Sequence, residues 1–266
     1  MSGMATKPLA HLRFRLPTRK SLVCFLLIVI AAWGVLSTTA VTVFILSKDP
    51  DPDHRAIIKM GVGLILVWCV LGGLLMWGLR DRFVRWATSI PLGWRTRFVL
   101  FCIAFAMLEE AVTTGLTNMA PLLGGVTDAA RITVSKNYFE VVFTNSVIVF
   151  VPLFLCWGWL LSRYDFRPIE VLLLFGLNGT LAETITFGPQ NLIQIGMWVW
   201  VYGLMAYLPA CTVPEERGTR PARWWTWLTA VFLPLVFIIP LVVWLVWRVA
   251  AATWVFVTRK RPTGGE

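Results

Sequence analysis

Charge is scarce in this sequence. Only 14% of its 266 residues are Asp, Glu, Lys or Arg, where an average soluble domain carries about 25%. Histidine is scarcer still. The two present, His11 and His54, fall in polar flanks, which removes histidine-dependent chemistry from the apolar interior. Five cysteines (Cys24, Cys69, Cys102, Cys156 and Cys211) lie in or at the ends of apolar runs, and no two have metal-ligand spacing. A disulfide framework would need loop cysteines, so these read as reduced, unpaired, small apolar packers and no metal site is expected. Internal repeats and low-complexity tracts are missing too. No polar stretch is long enough to fold as a separate domain.

Apolar residues are what the chain has in abundance, at 58%, and they come in long runs. Runs of about 20 match the hydrocarbon thickness of a bilayer. The expected fold is an all-α integral membrane protein, a polytopic bundle of six to eight transmembrane helices with seven favoured and the N-terminus cytoplasmic. Three segments divide it: a basic cytoplasmic stretch 1–21, a transmembrane domain 22–257 and a short basic tail 258–266.

The formal net charge of +10 reads as basic loops held on the cytoplasmic side against anionic lipid, not as a nucleic-acid surface. Lys7, Arg13, Arg15, Arg19 and Lys20 precede the first apolar run at 22–46, which is too long for a cleaved signal peptide. The acidic linker 47–59 suits the outer side. A second helix is expected over 60–79, followed by a cytoplasmic loop carrying Arg80, Arg82, Arg85, Arg95 and Arg97, and a third over 98–117. The weakly charged stretch 118–139 lies outside and a fourth helix spans 140–161. Arg163 and Arg167 bring the chain back inside. Two helices share 169–211, parted by Gly188, Pro189, Gln190 and Asn191 as a turn. The loop with Arg217, Arg220 and Arg223 is inside. The stretch 224–257, broken by Pro234 and Pro240, is long for one span and short for two. The tail Arg259, Lys260, Arg261 prefers the inside. A bacterial plasma membrane is the expected location, with the lipid bilayer as the one certain partner.

Charged groups at bilayer depth are costly and face the bundle interior. Glu109 and Glu110 fall near the middle of the third helix and Glu183 past the middle of the fifth. Glu110, Thr113, Thr114 and Thr117 share one helical face, as do Gly176, Gly179, Thr180 and Glu183. Glu109 points about 100° away from Glu110. Asn178 adds a buried amide, Asn145 lies in the outer third of the fourth helix, and Gln190, Asn191 and Gln194 line the outer turn. Glu140 and Glu170 read as helix-end acids beside a favourable N-terminus. A polar pocket between helices three to six, opening outward, is therefore expected. Its candidate binding residues are Glu110, Thr113, Thr114, Asn145, Asn178, Thr180 and Glu183. Glu109, Glu110 and Glu183 are the candidate catalytic groups. Two carboxyls in one low-dielectric pocket favour retention of a proton, which suits acid–base work or proton transfer.

The segment Glu109-Glu110-Ala-Val-Thr-Thr114-Gly115 resembles the first motif of the CAAX-protease-like intramembrane hydrolases, Glu-Glu-x-x-x-Arg-Gly. In that family the glutamate activates water beside histidines from two later helices. Here Thr114 stands at the Arg position, and Asn145 and Asn178 fall where the histidine helices would be. The resemblance covers seven residues and a helix order, and it implies a glutamate-dependent hydrolase that lacks its histidines.

Three functions stay open on sequence. One is an acidic pocket that binds or moves a solute, ion or lipid, with an unknown solute or membrane-embedded substrate as partner. The second is a glutamate-dependent intramembrane hydrolase, and the third a non-catalytic assembly subunit. No cofactor is assigned.

Overall fold

A computed structural model describes residues 18–237. The basic segment before residue 18, the continuation of the last apolar stretch to 257 and the tail Arg259, Lys260, Arg261 lie outside the described residues. Five helices are long and apolar enough to cross a membrane: α1 Arg19–Lys48, α2 Pro52–Ser89, α3 Trp94–Asn118, α4 Tyr138–Leu161 and α5 Pro168–Phe187. Two shorter apolar helices follow, α6 Ile195–Ala210 and α7 Trp224–Phe237. The described chain is thus an all-α membrane protein with five spanning-length helices, where the sequence had pointed to six to eight. The difference lies in α6, shorter than a full span, and in the region beyond residue 237.

Helix α2 corrects two sequence boundaries. It begins at Pro52, with the Asp51 side chain accepting from the Asp53 N–H, and runs unbroken to Ser89. The acidic linker shrinks to residues 49–51, and Arg80, Arg82 and Arg85 sit on the helix instead of in a loop. Arginine is a good helix former whose long stem lets the guanidinium reach water beyond the apolar zone, so a basic run need not end a helix. Midway, residues Ile65–Gly72 adopt π-helical winding. A second π segment, Val141–Asn145, opens α4.

The short helix α6 is the centre of the bundle and packs on α1, α2, α3 and α5. Glycine permits the two tightest crossings. A Cβ at Gly176 would collide with the Val199 carbonyl, and one at Gly203 with the Leu172 carbonyl, so α5 and α6 meet backbone to backbone. Gly34 of α1 and Gly196 of α6 touch in the same way. Close small-residue approach is how helices gain packing where lipid competes equally for apolar surface. Trp68 of α2 donates its indole N–H to the Val201 carbonyl at 2.9 Å, tying α2 to the same centre.

The two ends of the bundle differ in charge. One carries Arg80–Arg97, Arg163, Arg167, Arg217, Arg220 and Arg223. Here the two-residue strands β1 Tyr164–Asp165 and β2 Arg220–Pro221 pair in parallel. Arg19 bonds the Glu170 carboxylate and donates to the Ala222 and Asp165 carbonyls. Glu170, fully buried, also accepts from the Arg167 N–H at 2.9 Å. This acid therefore clasps α1 to α5 as well as capping its own helix. At the opposite end Asp53 accepts from the Val126 and Thr127 N–H groups at 2.7 and 3.2 Å and from the Thr127 hydroxyl. That straps the 119–137 connection onto α2.

Candidate acidic chamber

Near the strapped end, α1 to α6 leave a chamber of about 360 Å³. Helix α3 contributes Glu109, Glu110 and Thr113, and α5 contributes Glu183 and Phe187. Helix α6 adds Met197, Trp198 and Tyr202, and Gln194 joins them from the turn just before it. Thr38 and Thr42 of α1, Gly61 of α2, Ser146 of α4 and Ile132–Val134 of the connection complete much of the wall. Among the described residues, the lining holds three carboxyls and no Lys, Arg or His.

Each carboxyl is held differently. Glu110 accepts from the Thr113 hydroxyl at 3.2 Å, one turn on, and meets Ser146 across the chamber. Glu183 accepts from the Tyr202 hydroxyl. Glu109 is only 5% exposed, lines the chamber and, among the described residues, makes no side-chain hydrogen bond. Its carboxyl oxygens face the open space of the chamber, where a ligand, a proton or water supplies the hydrogen bonding that a polar group at this depth requires.

Tyr202 is placed by its neighbours. Gly179 lies under its ring, where a Cβ would overlap the aromatic carbons. Phe150 and Trp198 flank it at centroid distances of 5.3 and 5.8 Å. Trp198 donates to the Asn191 side chain at 3.2 Å, and Asn191 donates back to the Glu183 carbonyl at 3.4 Å. The turn between α5 and α6 thereby fixes the chamber's rim.

Of the residues singled out from sequence, Glu109, Glu110, Thr113 and Glu183 come together, joined by Gln194 of the outer turn. Thr114, Asn145, Asn178 and Thr180 do not line the chamber. Asn178 is fully buried elsewhere; it accepts from the Trp157 indole at 2.7 Å and donates to the Ala230 and Val231 carbonyls of α7. Thr180 donates to the Gly176 carbonyl at 2.9 Å. Asn145 donates to the neighbouring Thr144 hydroxyl, and the Thr114 hydroxyl is buried without a partner. Tyr202 and Ser146 escaped the sequence reading. A tyrosine in an aromatic-rich helix and a serine inside an apolar one carry no distinguishing local pattern.

The five cysteines are free. Among the described residues no three acid, histidine or cysteine side chains gather as a metal-ligand cluster. Compared with family models, with curated proteins and with solved structures, the chain matches none.

Proposed function

We propose that this membrane protein binds a positively charged organic ligand in the acidic chamber, with the Arg-rich end cytoplasmic and the chamber facing outward. One observation carries the reading: among the described residues, Glu109 is buried, makes no side-chain hydrogen bond and lines a chamber with three carboxyls and no cation. An ionised carboxylate buried without a partner is expensive, so a bound cation or a bound proton must offset it. Cation and proton then compete for one position. Glu110 and Glu183, each held by a hydroxyl donor, supply the surrounding negative field. Tyr202, its ring enclosed by Gly179, Phe150 and Trp198, contributes its hydroxyl to the chamber wall by holding Glu183. The three carboxyls do not form a metal-ligand cluster, which favours a diffuse organic cation over a tightly coordinated ion.

The test uses purified protein in lipid nanodiscs with tetraphenylphosphonium as probe. Binding should weaken roughly tenfold, about 1.4 kcal/mol, in Glu109→Gln, and should weaken as pH falls. Equal affinity in Glu109→Gln, Glu110→Gln and Glu183→Gln would overturn the reading.

A further inference from the structure

A second hollow of about 360 Å³ lies between α1, α2 and α6. Its walls are almost wholly apolar and include Val35, Ile65, Cys69 and Val70. Val35 and Val70 are exposed at its mouth. Both lie well inside spanning-length helices, so what bathes that mouth is hydrocarbon rather than water.

The hollow adjoins the acidic chamber. Thr38 and Met197 line both. Glu109 lines the chamber and is absent from the wall of the hollow, so the two compartments meet at Thr38 and Met197. The π-wound stretch of α2 supplies Ile65, Cys69 and Val70 to this wall, and such local windings are frequent at functional sites.

Resting on the proposed cation binding, we infer that the ligand is a membrane-embedded cationic amphiphile. Its ammonium head sits against Glu109 in the chamber and its hydrocarbon chain lies in the hollow between α1, α2 and α6. A water-soluble cation would have no use for a side opening at hydrocarbon depth. An alkyl chain fills it without leaving the apolar phase, and only the head must change environment. Head and chain are thus matched by an acidic and an apolar compartment that share a wall.

The experiment compares butyltrimethylammonium with dodecyltrimethylammonium on protein in phosphatidylcholine nanodiscs, with empty discs subtracted. In the wild type the dodecyl probe should bind roughly tenfold tighter, since its chain is long enough to pack into the hollow while the butyl chain is not. Val70→Trp, which fills the hollow, should bring dodecyl binding down to the butyl level. Val35→Trp serves the same purpose from α1 should Val70→Trp fail to fold. Glu109→Gln should weaken both probes. No chain-length advantage in the wild type, or an advantage that survives both tryptophan variants, overturns the amphiphile inference while Glu109-dependent butyl binding leaves the cation reading standing. Binding of neither probe to the wild type overturns both.

Discussion

Tyr202, on α6, gives its phenolic hydrogen to the carboxyl of Glu183, on α5. The bond closes one side of the chamber and joins the two helices that pack most closely in the bundle. A hydrogen bond to a partly buried carboxyl contributes about 1 kcal/mol. Tyr202→Phe should therefore lower stability by that amount in thermal unfolding of the detergent-solubilised protein, while keeping the ring against Phe150 and Trp198. An unchanged midpoint would mean that the phenol makes no such bond.

Gly176→Ala should be far more damaging than its single methyl group implies. The added Cβ meets backbone, the Val199 carbonyl, which cannot swing aside as a side chain can. Overpacking costs about 1–3 kcal/mol in ordinary cores, and Gly176→Ala should reach at least that. Gly115→Ala is the matched control on α3, because nothing lies within 4 Å of its added Cβ. Folded yield and unfolding midpoint of the two variants give the comparison; equal behaviour would refute the close crossing.

At the basic end, Arg19→Ala should destabilise by about 3 kcal/mol, since it leaves a fully buried Glu170 without its cation. The double change Arg19→Met with Glu170→Met should recover most of the loss, because a buried ion pair replaced by apolar groups of similar size is often neutral. A double variant as unstable as the single one would show that the pair does more than hold α1 to α5.

Orientation is checked by reporters. A fusion at Gly93, in the short connection after α2, should report the cytoplasm, and one at Asp51 the exterior, because positively charged segments resist translocation. The inverse pattern would turn the acidic chamber toward the cell interior.

The spanning helices and the acids were legible in the sequence for the same reason. Hydrocarbon tolerates long apolar runs and penalises carboxyls, so a Glu at bilayer depth must face inward, and Glu109, Glu110 and Glu183 do line one chamber. What the amides do was not legible. Asn178 looked like a pocket group, yet its partners are the Trp157 indole and two α7 carbonyls. A local pattern carries no record of which distant backbone will need a donor. The length of α2 was obscured because five arginines between 80 and 97 look like a loop, although three of them extend a helix into the interface.

The π-wound middle of α2 has a further consequence, best put as phase. Buried residues leading into it recur every fourth position: Ala56, Met60, Leu64 and, within it, Trp68. The next buried residue, Met76, comes eight positions after Trp68, an interval that regular α-helix would turn about 80° off the core-facing line. One surplus residue taken up by the wide winding of Ile65–Gly72 restores the alignment, so α2 is two helices of different frame spliced end to end. A single-residue deletion within that stretch would place Met76 seven positions after Trp68, about 20° from the core-facing line in regular α-helix. It should therefore straighten the winding without turning the arginine-bearing half, and what it removes is the wide turn that carries Cys69 and Val70.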